Sequence, residues 1–341
     1  MKKKINLTYF IAEIGPNHNG SFKIASNMIK NLSSSGVNGI KFQLGNPDLI
    51  FSDDAFFAEY QKKNTIFKSI KDLSKKNQLS ESDHIKLAKL CKKNNLDYLC
   101  SAFDLKSLKF IDKKLKIPFF KIPSGEVFSL DMIDYIAKQN KPILISTGMC
   151  NFAELEIILK RLNKFKKKDI TILHCISSYP AEKRNLNLNL IDKISNNFNC
   201  KVGYSDHSTG DEASLAAIAK GAVIIEKHVT ISKKMKGPDH SSSSTIVEFK
   251  GLIKKIRNLE LMLGSQIKKF SEKEKNVKAA SRKSITSKRV IKKNSIITMN
   301  DICFKRPGNG ISPLQIKNVI GKKAKFEISK NKIFRKNFIK R

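Results

Sequence analysis

Short apolar runs alternate along this chain with stretches in which apolar side chains recur every three or four residues. The runs are Tyr9–Ile14, Gly39–Leu44, Tyr98–Phe103, Phe119–Pro123, Pro142–Thr147, Ile170–Ile176, Val202–Ser205 and Val223–Val229. They are short and rich in Ile, Val and aromatic residues, which predicts strands. The periodic stretches predict helices at Ile24–Leu32, His84–Lys93, Leu105–Lys114, Leu130–Lys138, Phe152–Leu162, Leu186–Ile194, Glu212–Lys220 and Ile246–Leu263. Strictly alternating strand–helix units of this number predict a (β/α)₈ TIM barrel over residues 1–265. An open doubly wound sheet is the structural rival; it usually has fewer strands, and no GxGxxG turn follows the first run.

Two departures from the repeat stand out. Phe51–Lys76, between the second strand and its helix, is long, and insertions at that end of a barrel strand commonly build part of an active site. From residue 266 to 280 the chain turns polar and charged, as a partly helical linker would. Residues 281–341 then carry short β-rich pieces and the turn-forming Arg306-Pro307-Gly308-Asn309-Gly310, a second small domain.

Composition narrows the function classes. The net charge of the 341 residues is +36, yet almost all of the positive charge is Lys, spread along the chain. A protein that reads bases would use more Arg, so nucleic acid is not expected as a partner. A positive surface does attract anionic substrates. No apolar run approaches the roughly 18 residues needed to cross a bilayer. Glu13 interrupts the apolar stretch after the basic start, so a cytoplasmic location is expected. The six cysteines form no CxxC pair and are expected to be reduced.

Candidate chemistry collects at the carboxyl ends of the strands, where TIM-barrel active sites lie. Lys41 and Lys121 sit inside apolar strands, and burying an unpaired ammonium costs several kcal/mol or more. Lys41 and Gln43 share a strand face that should point into the barrel. With Ser124, Ser146 and Ser205 they suit a phosphate and a carboxylate, unless the lysines snorkel to solvent. His207 and His228 lie on neighbouring strands and suit a divalent ion that keeps waters, Mn²⁺ first, with Mg²⁺ or Co²⁺ as alternatives. His84, in a charged helix, is expected to be solvated, and His174 to be a hydrogen-bonded core residue. His18 and His240 are loop residues near the mouth that could orient substrate.

Taken in order, these segments resemble one family. Glu13-Ile14-Gly15-x-Asn17-His18-Asn19-Gly20, Lys41-Phe42-Gln43, Lys121-Ile122-x-Ser124-Gly125-Glu126 and Ser146-Thr147-Gly148-Met149 look like the sialic acid synthases. Gly203-x-Ser205-Asp206-His207, Glu226-Lys227-His228 and Gly237-Pro238-Asp239 extend the match. Lys305-Arg306-Pro307-Gly308-x-Gly310 is similar to that family's antifreeze-like SAF domain.

The resemblance implies a phosphoenolpyruvate-dependent synthase making a nonulosonate from an N-acyl amino-sugar aldehyde, with release of phosphate. Lys41, Lys121, Ser124, Ser146 and Ser205 would bind phosphoenolpyruvate, and His207 and His228 the metal. Gln43, Tyr179, Asp239, Glu13 and Arg306 would meet the amino sugar. Glu126 would handle protons, with Glu13 and Asp239 also in the catalytic set. A domain-swapped homodimer would place each SAF domain over its partner's barrel.

Neuraminate synthases often carry Cys-Thr-Asn-x-Tyr-Pro, where this chain has Cys175-Ile176-Ser177-Ser178-Tyr179-Pro180. N-acetylneuraminate and a diacetylated legionaminate-type product are therefore the two expectations. A pseudaminate synthase, or another phosphoenolpyruvate aldolase on the same barrel, is the alternative.

Overall fold

The computed structural model describes residues 7–63, 65–166 and 168–340, and the chain divides after Gly264 into two compact units. Among the described residues of the first unit, eight parallel strands run in chain order. They are β1 (Tyr9–Glu13), β2 (Gly39–Leu44), β3 (Asp97–Ala102), β4 (Phe120–Ile122), β5 (Ile143–Ser146), β6 (Ile170–Cys175), β7 (Lys201–Asp206) and β8 (Ile224–Thr230), and a two-residue β9 (Ser244–Thr245) lies parallel to the end of β8. Strand β8 pairs back onto β1 with Glu13 opposite His228, so the sheet closes and leaves no edge. The open-sheet alternative is thereby excluded.

The crossover helices are α1 (Phe22–Leu32), α2 (Glu81–Lys93), α3 (Leu105–Lys114), α4 (Leu130–Lys138), α5 (Phe152–Leu162), α6 (Leu190–Phe198), α7 (Glu212–Ala219) and α8 (Ile246–Leu263). A polar side chain caps the amino end of most of them. Ser21, Ser80, Asp104, Asn151 and Thr245 each accept a backbone N–H of the first turn. The result is a (β/α)₈ barrel, as the alternation predicts.

Two expectations need correction. The sixth helix begins at Leu190 rather than Leu186, because Asn187 takes a left-handed backbone conformation (φ 45°) that a helix interior does not accommodate. His84 is fully buried rather than solvated: its Nδ1 lies 2.5 Å from the Tyr98 hydroxyl and its ring packs edge-on against Phe42. The charged residues around it hid a periodic apolar face made of His84, Leu87 and Cys91. His174 is a core residue as expected, buried with Nε2 2.7 Å from the Leu186 carbonyl oxygen.

Pleating divides the strand residues between two environments. Phe10, Ala12, Ile40 and Phe42 face outward into the main core beneath the helices. Ile11, Leu99, Leu144, Leu173 and Ile224 face inward and fill the barrel with a small apolar floor. The inward positions above that floor are polar.

The last helix locks the cylinder to its first strand. Glu260 accepts a 2.6 Å hydrogen bond from the Thr8 N–H, and Arg257 donates to the Thr8 carbonyl at 3.0 Å. The guanidinium also lies over the Phe10 ring, 4.7 Å from its centroid.

In the second unit, helix α9 (Glu272–Ser281) precedes an antiparallel pair, β10 (Ser284–Ser287) and β11 (Ile302–Lys305). Ile285, Ile297, Val319, Ala324, Ile328 and Phe334 form a core of its own. No described helix is long and apolar enough to cross a membrane.

Substituting Glu260→Ala leaves the buried Thr8 N–H without its acceptor, so unfolding free energy should fall by about 1–3 kcal/mol. Urea unfolding measures this; an unchanged midpoint would show that the strap does not stabilise the barrel.

Candidate active site

Above the apolar floor, the inward positions of neighbouring strands bring four charges together. The Lys41 ammonium on β2 pairs with the Glu13 carboxylate on β1, opposite it in register. Glu226 on β8 lies 3.7 Å from Lys41 and 3.6 Å from the Lys121 ammonium on β4. All four side chains are buried. Hydroxyls complete the layer: Lys121 donates to Ser146 Oγ at 2.6 Å, Lys41 to Ser101 Oγ at 3.4 Å, and Ser205 to Glu226 at 3.1 Å.

The lysines therefore do not snorkel, and the protein supplies two carboxylates of its own to balance them. Burial pushes the Lys41 ammonium down to about 8, helped by Lys121 and opposed by Glu226. Burial would raise Glu226, but the two lysines overcome it and hold its carboxyl below the usual range.

Above the charged layer stand the two histidines. His207 donates from Nδ1 to the Ile176 carbonyl at 2.8 Å, which leaves the lone pair on Nε2, where it meets the Tyr179 hydroxyl at 3.2 Å. The His207 and His228 rings lie 5.4 Å apart. His228 Nδ1 and Asp239 Oδ1 are buried without hydrogen-bond partners, and Nδ1 is 3.5 Å from the other Asp239 oxygen. Burial, with His207 and the lysines nearby, pushes His228 well below its ordinary value, so its imidazole is neutral. Burial raises the Asp239 carboxyl to about 6.

Among the described residues no group of three or more His, Cys, Asp or Glu side chains is gathered as a metal cage. The pair of neutral-capable imidazoles, with an orphaned nitrogen on one, nevertheless fits an open-sided divalent ion that keeps waters.

One cavity of about 390 Å³ collects most of the residues expected from the sequence: Lys41, Gln43, Lys121, Ser124, Ser146, Tyr179, Ser205, His207, His228 and Asp239. Glu13 lies beside it, sealed behind Lys41. Glu126 is not brought there. It ends the short turn Ser124–Glu126, and its carboxyl is taken by the Ser129 hydroxyl at the start of α4. Arg306 belongs to the second unit, where it is exposed just beyond β11. Among the loop histidines, His240 is buried and turned to Thr230 and Asn19.

Residues not singled out as site residues also take part. Glu226 bridges the lysines. Cys175 lines the cavity with Sγ 3.7 Å from His207 Nδ1. Tyr60, from the long segment after β2, packs on Tyr179 at 5.0 Å. Glu226 was visible within the Glu226-Lys227-His228 motif and Cys175 only as the start of the Cys175–Pro180 run; Tyr60 gave no pattern. Gly148 has a steric role, because a Cβ there would lie 2.1 Å from Ser177 Oγ and 2.8 Å from Ser124 Oγ.

A second ion pair lies outside the sheet, behind the histidines. Lys227 donates to Asp206 and to the Ser208 carbonyl, each at 2.7 Å, and Asp206 also accepts from the Ser208 and Ser214 hydroxyls. Asp206 and Lys227 are opposite in register, each one residue before a histidine. The peptide carrying His207 is thus held on both sides and tied to the strand carrying His228.

A closed parallel barrel with a polar, charge-lined cavity at the carboxyl ends of its strands is an enzyme scaffold. The profile of the NeuB family matches residues 28–268. The chain is 40% identical to the N,N'-diacetyllegionaminic acid synthase of Campylobacter jejuni, over 96% of this chain and 99% of that protein. It is 35% identical to the Legionella pneumophila synthase of the same name, over 94% and 91%. The structure of an N-acetylneuraminic acid synthetase from Leptospira borgpetersenii superposes with a TM-score of 0.72 at 27% identity, over 80% of this chain and 90% of that one. The chain belongs to the NeuB family.

Lys227→Met strands the Asp206 carboxylate in the protein interior, and breaking a buried pair in this way costs about 3–5 kcal/mol. Denaturant unfolding should show a loss of that size; a loss below about 1 kcal/mol would mean that the serines alone carry Asp206.

Proposed function

We propose that this protein condenses phosphoenolpyruvate with the open-chain aldehyde of an N-acyl amino sugar and releases phosphate, forming a nonulosonate of the sialic-acid type. The observation that carries this reading is the joining, in one cavity, of the Lys41–Lys121 layer and the His207–His228 pair. The 2,4-diacetamido-trideoxyhexose is preferred over N-acetylmannosamine as substrate, because two relatives named diacetyllegionaminic acid synthases align along nearly the whole chain.

In this reading Lys121 and Ser146, with Lys41, Ser124 and Ser205, hold the phosphate and carboxylate of phosphoenolpyruvate. The methylene carbon bonds to the aldehyde carbon, water adds at the phosphate-bearing carbon, and phosphate leaves by C–O cleavage. The lysines and hydroxyls are already aimed at the charge that develops, so little reorganisation is needed. His207 and His228 hold the divalent ion, Mn²⁺ by preference, with Mg²⁺ or Co²⁺ as alternatives. When bound, such an ion polarises an aldehyde oxygen as a Lewis acid.

Gln43, Tyr179 and Asp239 face the amino sugar. Glu226 and Asp239 line the cavity and share the proton transfers with Glu126, which ends the turn whose Ser124 and Gly125 line it. Glu226, held ionised by its lysines, is the base for the added water; Glu13 keeps Lys41 in place. The second unit corresponds to a SAF domain, on the strength of Lys305-Arg306-Pro307-Gly308-x-Gly310. Arg306 then reaches the acyl group of the sugar in the barrel of a second copy, within a domain-swapped homodimer in the cytoplasm.

Phosphate release from phosphoenolpyruvate, assayed with N-acylated hexosamines, tests the reading. Turnover should require a divalent ion, stop reversibly with chelator, and favour the 2,4-diacetamido sugar over N-acetylmannosamine at least tenfold. His228→Ala should abolish turnover while phosphoenolpyruvate still binds. Full activity in excess chelator would refute the metal assignment, and no phosphate release with any amino sugar would refute the reaction.

A further inference from the structure

Beside the charged cavity lies a second chamber of about 200 Å³ with a different chemistry. The two share Pro16, Gln43, Gln61, Phe103 and Pro238 as walls, so they are immediate neighbours. The main cavity presents Lys41, Lys121, Glu226 and Asp239, whereas no Lys, Arg, Asp or Glu side chain lines the smaller one. Its histidine, His18, is pushed down to about 3 by burial and so is neutral.

One wall is apolar and comes from the long segment after β2: Ile50, Phe51, Ile70 and Leu73. Another wall is made of side-chain amides, of which Gln43 and Gln78 are each anchored at one end and keep the other end for a ligand. Gln43 spends its amino group on the Gly15 carbonyl at 3.0 Å, which leaves its carbonyl oxygen as an acceptor. Gln78 spends its carbonyl oxygen on the Gly45 N–H at 3.2 Å, which leaves its amino group as a donor. Gln61, Ser74 and Asn77 add further neutral donors and acceptors, so an uncharged chamber that sets polar amides against an apolar wall matches a group with an N–H, a C=O and a methyl. That group is an acetamide. A charged or hydroxymethyl group finds less here: the first loses its solvation, and the second leaves the wall of Ile70 and Leu73 without an apolar partner.

We propose that this chamber is the subsite for a second acylamino group, so that a sugar bearing two acetamido groups fills both cavities and a singly acylated one leaves the chamber to water. The inference rests on the synthase reading above and names the feature that selects between its two candidate sugars. Gln78, Leu73 and Ile70 are specificity residues in it; they lie apart from the lysines and from the histidine pair. A site that satisfies both polar ends of a substrate group also penalises an analogue that lacks the group, because its own donor and acceptor then go unpaired.

Two variants of the full chain test it. Gln78→Glu keeps the acceptor for the Gly45 N–H but turns the ligand-facing donor into an acceptor carrying charge. Leu73→Trp fills the chamber. Each should raise KM for the 2,4-diacetamido sugar at least tenfold, lower the preference for it over N-acetylmannosamine by a similar factor, and leave the calorimetric affinity for phosphoenolpyruvate unchanged. The charge-altering variant keeps the test open if the filled one does not fold. Unchanged KM for the diacetamido sugar in the folded variants, or an equal loss with both sugars, would overturn the subsite while leaving the reaction standing. Absence of turnover by the unsubstituted enzyme with either sugar would overturn the synthase reading itself, and the subsite with it.

Discussion

The arrangement of the barrel interior turns on Glu226. Two ammonium groups buried near one another repel, and each has lost its hydration. Glu226 lies within 4 Å of both, accepts a hydrogen bond from Ser205, and thereby lets Lys41 and Lys121 stay inside. Glu13 pairs with Lys41 on the other side. Two positive and two negative charges then sit on an apolar floor of Ile11, Leu99, Leu144, Leu173 and Ile224. A phosphate entering this layer meets fixed hydroxyls and lysines, together with a carboxylate that resists it. The layer is balanced before any ligand arrives, so an incoming anion must shift its protonation.

Much of this was legible along the chain. The alternation of strand and helix patterns fixed the barrel, and period-two parity correctly put Lys41 and Gln43 on its inner face with Phe42 outside. The inference that the buried lysines require an external anion was incomplete, because it considered each strand separately. Glu13 comes from β1, which pairs directly with the strand of Lys41, whereas Glu226 comes from β8, which barrel closure alone brings round to β1. Glu126 stands at the rim of what the sequence shows. It follows a strand end, where catalytic groups gather, but the chain turns into α4 there and Ser129 claims the carboxyl.

The segment after β2 was expected to contribute to the site on grounds of length alone. Its contribution is specific: Tyr60 packs on Tyr179, and its helices wall the neutral chamber. Nothing in its sequence marks this, because Leu73 and Ile70 read as ordinary apolar positions of a short helix. The Asp206–Lys227 pair was equally silent. Both residues sit inside recognisable motifs, yet they point away from the cavity and act on it through the peptides that carry His207 and His228.

In the proposed reaction phosphoenolpyruvate joins a buried ionic layer that already holds carboxylates of its own. Isothermal calorimetry of phosphoenolpyruvate binding, in buffers of differing ionisation enthalpy across pH 6 to 9, tests it directly. With Lys41 titrating at about 8, the free site at that pH holds its ammonium only about half-protonated, and the bound anion draws the missing proton in. Uptake of roughly half a proton is therefore expected near pH 8, falling towards pH 6, with affinity that weakens as pH rises further. Binding with no linked proton between pH 7 and 9, or with proton release, would contradict it.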